Sequence, residues 1–167
     1  RDLVENLGKH PLQKRIPLVA IPTTSGTGSE VTPFATVWDH VNARKLSLAG
    51  PSVFPDVALI DAELCLTLPL DETLYSGLDA VSHALESLWN RNASSVSTSL
   101  ALKALELAVR ALPQVLEAPS DLQARTRMHQ ASLLAGMAIS QTRTAIAHAI
   151  SYPLTLRHGV PHGLACG

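Results

Sequence analysis

The sequence changes character near residue 70, and this change constrains the fold more than any other feature. Before it, short apolar or β-branched runs at 16–21, 34–38 and 57–60 are separated by Pro, Gly, Asn and Asp, a pattern typical of strands and turns. After it, apolar residues recur at steps of three and four, the spacing of amphipathic helices. We therefore expect an α/β portion over 1–69, followed by an all-helical domain over 70–167.

The helical part contains several signals for where its helices begin and end. Asp121 is expected to cap a new helix after the stop at Pro119. Gly159 and Pro161 should end the last long helix, which places His162 at or just before the start of another. The predicted helices cover 71–90, 100–116, 122–139 and 145–156, the last one interrupted at Pro153.

Composition restricts the class of protein. The 167 residues are 46% hydrophobic and 16% charged, which suits one globular domain or a domain with part of another. A net charge of −1 gives no basic surface for nucleic acid, and no apolar run approaches the ~18 residues that span a bilayer. Two cysteines suit a reducing compartment. We expect a cytoplasmic protein with neither nucleic acid nor membrane as a partner.

One carboxylate and three imidazoles stand out as candidate metal ligands. Asp79 and His83 are four residues apart on a predicted helix, so both side chains lie on one face. His148 and His162 follow in a later segment. A single helical histidine is usually a structural residue, but a carboxylate beside an apolar stripe is costly to bury without a partner. This mixed set of nitrogen and oxygen ligands suits Fe, Zn, Ni or Mn better than Ca or Mg.

The remaining histidines lack such company. His10, His40 and His129 are interpreted as surface or structural residues. His158 also lies four residues before His162, but the Gly and Pro between them make a shared helical turn improbable.

A second informative stretch, Ile21-Pro-Thr-Thr-Ser-Gly-Thr-Gly-Ser-Glu-Val-Thr32, follows directly after a predicted strand. Its glycines permit close approach of the backbone, and its hydroxyls could bind a phosphate, a ribose or a nicotinamide ring. It is neither a Walker phosphate loop nor a GxGxxG dinucleotide fingerprint. On composition alone, a polar connecting loop is an equally good interpretation.

Four stretches in the same order resemble the iron-containing (group III) alcohol dehydrogenases. They are the loop 21–32, Pro55-Asp-Val-Ala-Leu-Ile-Asp61, Gly77-Leu-Asp-Ala-Val-Ser-His-Ala-Leu-Glu86 and the segment 148–163. The resemblance implies the architecture shared with dehydroquinate synthase: an α/β dinucleotide-binding domain, then a helical domain. It also implies that Fe²⁺, Zn²⁺ or another divalent first-row metal meets NAD or NADP in the cleft between them.

The resemblance also implies roles for particular residues. Many members carry a further histidine one helical turn after the third metal ligand, and Tyr152 stands at that position here. The tyrosine phenol can still donate a hydrogen bond or pass a proton. With Tyr152, the four metal ligands form the expected catalytic set. The implied metal ligands are Asp79, His83, His148 and His162, and the implied cofactor contacts are Thr23, Thr24, Thr27, Thr32, Lys45 in the following strand, and Cys65.

The implied activity is hydride transfer between NAD(P) and a small alcohol or aldehyde, with the metal as a Lewis acid on the substrate oxygen. The run at 148–155 is most similar to the phosphonoacetaldehyde reductase branch, which makes phosphonoacetaldehyde a candidate substrate. Arg91, Arg143 and Arg157 are cations that could meet a phosphonate, although each could equally be a solvated surface residue.

The family's usual chain is more than twice as long, and its glycine-rich pyrophosphate motif is expected before residue 1. We therefore expect a central fragment, truncated at both ends, of a protein that forms a homo-oligomer at full length. Two alternatives remain open at this point. One is a non-catalytic metal-binding helical fragment, and the other is a related NAD- and metal-dependent sugar-phosphate cyclase.

Overall fold

The computed structural model describes residues 16–39, 41–42 and 44–167. Within these residues, every strand lies before residue 59 and every α-helix begins at residue 70 or later. The predicted order, a strand-containing part followed by a helical part, is confirmed. His10 and His40 lie outside the described residues.

The strand-containing part forms two small sheets. In the first, β1 (Val19–Ala20) runs parallel to β4 (Val57–Ala58). Both strands are shorter than the apolar runs that predicted them. For β1 the reason is chemical, because Pro17 and Pro22 flank the strand and neither has an N–H group to extend the ladder.

The second sheet is a hairpin of β2 (Phe34–Asp39) and β3 (Arg44–Ala49). Asp39 fixes its turn, since its carboxylate accepts a hydrogen bond from the backbone N–H of Asn42 at 3.1 Å. The antiparallel register places Trp38 directly opposite Lys45. This pairing brings an aromatic ring and an amine to the same end of the hairpin.

The α-helices agree with the predicted ones in number and approximate position, with two corrections. The second begins at Ser95 instead of residue 100, because Ser94 and Ser97 form a capping box in which each side chain binds the other's backbone N–H. The predicted interruption at Pro153 is wrong, since the helix continues through it and forgoes one hydrogen bond. The helices are α1 (Leu70–Trp89), α2 (Ser95–Glu117), α3 (Leu122–Thr142), α4 (Ile146–His158) and α5 (His162–Cys166).

The predicted helix boundaries around Asp121 and His162 are confirmed. The carboxylate of Asp121 accepts hydrogen bonds from the N–H groups of Gln123 and Ala124, which would otherwise lack partners at the start of α3. Gly159 ends α4 with a φ of 68°, in the left-handed region, and α5 begins at His162.

The core of the helical part is rich in alanine, which lets α1, α2 and α3 pack closely. A Cβ at Gly77 would lie only 2.4 Å from a methyl carbon of Leu112, so a larger residue at this position of α1 would require Leu112 to move. Small side chains at helix contacts permit short distances between helix axes. The two core clusters consist of Ala80, Ala108, Ala111, Leu112, Val115, Ala124, Met128 and Ala131, and of Ala84, Ala101, Ala104, Ala135 and Ala138.

The glycine-rich loop between β1 and β2 is packed directly on these helices. A Cβ at Gly26 would lie 2.4 Å from the carbonyl oxygen of Ser76 in α1, and a Cβ at Gly28 would lie 2.5 Å from Cα of Gly136 in α3. Only glycine permits such contacts between backbones. The loop is thereby held beside the helix face that carries Asp79 and His83. No α-helix among the described residues combines the length and apolarity needed to cross a bilayer.

Candidate metal centre

Three imidazoles from α1, α4 and α5 converge on one carboxylate oxygen. Oδ1 of Asp79 lies 3.5 Å from Nε2 of His83, which is one helical turn later in α1. The same oxygen lies 3.3 Å from Nε2 of His148 in α4 and 3.9 Å from Nε2 of His162 in α5. The structure therefore brings together all four side chains that the sequence indicated as metal ligands.

Two of these atoms lack the partners that buried polar atoms normally have. Oδ1 of Asp79 and Nε2 of His148 are buried and make no hydrogen bond within the described part of the chain. Such orphaned atoms are rare in native proteins because burial without a partner costs free energy. A divalent cation among the four side chains would satisfy both atoms. The residues therefore fit a first-row metal with nitrogen and oxygen ligands.

Glu86 orients His148 from behind. Its carboxylate accepts a hydrogen bond from Nδ1 of His148 at 2.7 Å, which leaves Nε2 as the nitrogen that faces Asp79. The same carboxylate accepts hydrogen bonds from the backbone N–H groups of Ala145, Ala147 and His148 at the start of α4. Glu86 thus caps α4 and fixes the ring of its histidine, as carboxylates commonly do for histidines that bind metals.

The other two imidazoles also have supporting contacts. Nδ1 of His83 lies 3.3 Å from the carbonyl oxygen of Gly26, which connects the glycine-rich loop to this site. Nδ1 of His162 lies 3.3 Å from the hydroxyl of Ser151, which itself donates to the carbonyl oxygen of His148. Each ring is therefore oriented by a contact through its second nitrogen.

The electrostatics keep the carboxylate charged although it is buried. Burial raises the pKa of Asp79, but the nearby His83, His148 and His162 outweigh this effect and lower it to about 2. Burial lowers the pKa of His148, but the neighbouring side chains of Asp79, Cys166 and Glu86 raise it to about 11. A buried carboxylate that keeps its negative charge is suited to binding a cation.

Cys166 also lies at this centre, although it was not predicted there; its spacing of four residues after His162 was the available signal. Its Sγ is 3.8 Å from both ring nitrogens of His162, one turn earlier in α5. The ligand atoms of Asp79, His148, His162 and Cys166 all lie within 4.8 Å of one another. His83 is not in this tight group, but it contacts the same Asp79 oxygen from within α1. Cys166 is thus an additional potential ligand.

The centre opens on one side into a cleft of about 710 Å³. His162 is its exposed member, with 30% of its side chain accessible, whereas Asp79, His83 and His148 are each below 10%. The cleft is lined on its other side by the hairpin and by the glycine-rich loop. Of the residues expected to contact a cofactor or substrate, Thr27, Thr32, Lys45 and Tyr152 line it.

An aromatic wall lies between the hairpin and His162. Nζ of Lys45 is 3.5 Å from the centroid of the Tyr152 ring, a cation–π contact. Trp38 packs edge-on against both Tyr152 and His162, with ring centroids 6.1 and 5.7 Å apart. Trp38 and Lys45 reach this wall together because they are paired in the hairpin register.

Three of the expected cofactor contacts lie elsewhere. Thr23 and Thr24 belong to the loop but do not line the cleft. Cys65 is fully buried, with its Sγ 3.3 Å from Nδ1 of His129 and 3.9 Å from Oγ of Ser25. Its position under the loop allows it to support the loop but separates it from the cleft.

Glu86 lies on the same helix face as His83, but no role was predicted for it from the sequence. The signal was its spacing, three residues after His83. Its partners in α4 are about 60 residues later in the chain, and helix spacing carries no information about them. Trp38 and Ser151 had no signal of their own.

Two protein-family models match most of the chain. The model of the Fe-containing alcohol dehydrogenase family, C-terminal, matches residues 73–167, and the model of iron-containing alcohol dehydrogenase matches residues 1–62. A phosphonoacetaldehyde reductase of Streptomyces viridochromogenes is 44% identical over 150 residues, covering 90% of this chain and 38% of the relative. The chain thus spans about two fifths of the length of this relative.

Solved structures of similar proteins share the fold. The sulfoacetaldehyde reductase of Bifidobacterium kashiwanohense, solved with NAD⁺, superposes with a TM-score of 0.89 at 38% identity, covering 93% of this chain and 41% of that one. An iron-containing alcohol dehydrogenase of Thermotoga maritima superposes with a TM-score of 0.88 at 38% identity, covering 99% of this chain and 44% of that one.

Proposed function

The chain belongs to the iron-containing alcohol dehydrogenase family, and from that premise we propose that it serves metal-dependent hydride transfer between NAD(P) and a small alcohol or aldehyde. The chain covers only about two fifths of the length of these relatives, so the activity is proposed for the whole protein. The relatives named above are reductases or alcohol dehydrogenases, which favours this activity over that of a sugar-phosphate cyclase.

The observation that carries the proposal is the convergence of three imidazoles on the buried Asp79 oxygen at the end of an open cleft. A purely structural ion would be expected in a closed site with every position filled by protein. Here the exposed edge of His162 leaves an approach from the cleft, as binding of a substrate oxygen requires.

The proposed roles of the residues follow from their positions. Asp79, His83, His148 and His162 would hold the ion, with Glu86 and the Gly26 carbonyl fixing the rings of His148 and His83. When bound, the ion and the dinucleotide supply Lewis-acid polarisation of the substrate oxygen and exchange of hydride.

The cleft residues would position the cofactor and substrate. We assign Thr27, Thr32 and Lys45 to the dinucleotide, since hydroxyls and an amine can bind ribose and amide groups there. Thr23, Thr24 and Cys65 are assigned to support of the loop. Tyr152 would donate a hydrogen bond to the substrate or pass it a proton, because its ring lies beside His162 with centroids 6.1 Å apart.

We propose Fe²⁺ as the ion, with Zn²⁺ as the alternative, and NAD over NADP as the cofactor, as in the solved sulfoacetaldehyde reductase complex. We also propose a cytoplasmic homo-oligomer whose dinucleotide-binding domain includes 1–69 and whose metal-binding domain includes 70–167.

The first experiment measures metal content and affinity after anaerobic purification, for the wild type and for His148→Ala. We expect one equivalent of a first-row metal, and its loss in the variant, because His148 supplies an unpartnered nitrogen. His158→Ala is the matched control, since this exposed histidine ends the same helix outside the centre. If His148→Ala binds metal as tightly as the wild type, the proposed ligand set is wrong.

A second measurement separates the enzyme from a non-catalytic metal-binding fragment. The metal-loaded protein is titrated with NADH, and the oxidation of NADH is followed with propanal and with phosphonoacetaldehyde. Binding of NADH and oxidation dependent on aldehyde would support the dehydrogenase. One equivalent of metal with no NADH binding would instead support the structural alternative.

A further inference from the structure

Arg143 has the most unusual backbone of any non-glycine residue in the described part of the chain. It follows α3 directly, and its φ of 67° is the single positive φ among the described non-glycine residues. Combined with a ψ of 176°, this conformation falls in a region that is almost exclusively occupied by glycine. Residues held in such conformations are concentrated at ligand sites, so the strain calls for an explanation.

Contacts with α1 and α3 hold Arg143 in this conformation. Its backbone N–H donates to the carbonyl oxygen of Ile139 at 2.7 Å. Its carbonyl oxygen accepts hydrogen bonds from the side chains of Asn90 at 3.3 Å and Thr142 at 3.0 Å. The hydroxyl of Thr142 also contacts that of Ser87, which is fully buried in α1. The position of Arg143 is therefore set by the packing of two helices.

The side chain of Arg143 is exposed and makes no hydrogen bond or ion pair within the described residues. Arg143 lines the cleft that contains the metal ligands. The only carboxylate lining this cleft in the described part of the chain is Asp79, whose Oδ1 is already surrounded by three imidazoles. The other cleft cation, Lys45, lies over the ring of Tyr152. Of the two cations Lys45 and Arg143, it is therefore Arg143 whose charge is available to a ligand in the cleft.

The other two arginines with this potential role are placed differently. Arg91 lines only a smaller pocket beyond the end of α1, which Arg143 also lines but which contains none of the metal ligands. Arg157 is exposed on α4 and lines neither cavity. Of these three arginines, Arg143 is the one that lines the cleft with the metal ligands.

We infer that Arg143 determines substrate specificity by binding an anionic group of a short aldehyde or alcohol. The inference rests on the proposed function, and it names the chemical class of the substrate: a molecule with a carbonyl or hydroxyl at one end and a phosphonate, sulfonate or carboxylate at the other. The planar guanidinium forms two parallel hydrogen bonds with such oxyanions, which a neutral substrate cannot match.

The test is calorimetric titration of the zinc-loaded protein with substrate analogues in the absence of a dinucleotide, so that none of them can react. Ethylphosphonate, ethanesulfonate and propanoate carry the three candidate anions, and 1-propanol is the neutral analogue of similar length. We expect at least one anion to bind more tightly than 1-propanol. In Arg143→Met its dissociation constant should rise about 10- to 100-fold, the range expected for hydrogen bonds to charged groups. Arg157→Met, the matched control, should retain the wild-type constants.

A glycine variant separates recognition from folding. Arg143→Gly removes the charge but suits the observed backbone, so we expect it to lose the preference for anions while its melting temperature equals or exceeds that of the wild type. Arg143→Lys keeps the charge without the planar fork, and we expect intermediate affinity. These two variants show whether weak binding in Arg143→Met results from the lost guanidinium or from damage to the fold.

Several results would overturn the inference. One is equal affinity of the wild type and Arg143→Met for every anion, and another is an equal loss in Arg157→Met. A third is a weakened affinity for NADH in Arg143→Met with unchanged binding of the anions, which would assign Arg143 to the cofactor phosphates. If propanal is reduced and no anion is preferred, the proposed function stands and this inference fails. If neither metal nor NADH binds, the proposed function fails.

Discussion

Two polar clusters that contain histidine lie within the described part of the chain, and one of them faces the cleft. The cleft cluster consists of Asp79, His83, His148 and His162. Oδ1 of Asp79 and Nε2 of His148 lack partners there, and Nε2 of His129 lacks one in the other cluster. The sealed cluster consists of Ser25, Cys65 and His129, all at most 5% exposed, under the glycine-rich loop. In the sealed cluster, Nδ1 of His129 lies 2.9 Å from the Ser25 hydroxyl and 3.3 Å from the Cys65 sulfur.

The difference between the clusters is one of charge. Burial lowers the pKa of His129 and raises the pKa of Cys65, so both residues of the sealed cluster are held neutral. In the cleft cluster, the carboxylates of Asp79 and Glu86 reverse the effect of burial on His148, whose pKa rises to about 11. The charged carboxylates of Asp79 and Glu86 thus distinguish the cleft cluster, which can bind a cation, from the sealed cluster.

The strongest test of this comparison is Asp79→Asn. The variant keeps the size of the side chain but removes the negative charge on which three imidazoles converge. We expect the dissociation constant for Zn²⁺ or Fe²⁺ to rise more than about 100-fold, beyond the loss that follows removal of a supporting group. Competition with a chromophoric chelator measures this constant.

Asp71→Asn is the control for Asp79→Asn, because it removes the same charge from an exposed position in the first turn of the same helix. Its metal affinity should equal that of the wild type. If both variants lose affinity equally, the effect comes from the net charge of α1, and the cleft cluster has no special role.

The next effect in size is expected for Glu86→Gln. The amide can still contact Nδ1 of His148, but it no longer provides the charge that caps α4 and orients the ring. We expect metal affinity to fall about 10- to 100-fold, as is usual when the carboxylate behind a metal-binding histidine is lost. Glu106→Gln, which alters an exposed carboxylate on α2, should leave the affinity unchanged. If Glu86→Gln binds metal as tightly as the wild type, Glu86 serves only as the cap of α4.

Much of the cleft cluster could be predicted from the sequence, because part of it is local. Helical spacing places Asp79 and His83 on one face of α1, and breaks at Gly159 and Pro161 predict a helix beginning at His162. That His148 meets them depends on the packing of α4 against α1. The resemblance to a family supplied this long-range contact, which periodicity cannot supply.

The rest of the site could not be predicted because it depends on packing between distant segments. Helix spacing does not show which loop hydroxyls face the cleft, so Thr27 and Thr32 could not be separated from Thr23 and Thr24. Nor could it show that Arg143 adopts a positive φ, since its conformation results from contacts with α1.

For the sealed cluster, His129→Gln is expected to change stability and its pH dependence but not metal binding. Loss of the imidazole leaves Ser25 and Cys65 without their partner, which should cost about 1 to 2 kcal/mol at pH 8. In the wild type, the pKa of His129 is near 6.5 in the unfolded chain and lower in the native state. Just below pH 6.5 the unfolded chain therefore binds more protons than the native state. Stability should therefore rise with pH up to about 6.5, and this contribution should be absent from the variant.

Chemical denaturation at several pH values measures both effects of His129→Gln. His158→Gln is the control, since His158 is exposed at the end of α4. A rise of more than tenfold in the metal dissociation constant of His129→Gln would contradict the separation of the two clusters.

The smallest effect is expected from Glu30→Gln, which tests a third buried carboxylate, one whose pKa no histidine shifts. Glu30 lies in the loop and is 4% exposed, and burial raises its pKa from 4.5, opposite to the shift of Asp79. The native state therefore binds more protons than the unfolded chain above pH 4.5, and stability falls as pH rises through the raised native pKa. Glutamine removes this slope, so the variant should be the more stable protein at pH 8 and lose that advantage near pH 4. Denaturation of Glu30→Gln at both pH values measures this difference in stability, with the exposed Glu63→Gln as the control. If Glu30→Gln is less stable than the wild type at pH 8, the Glu30 carboxylate has a partner that favours its charge, as that of Asp79 does.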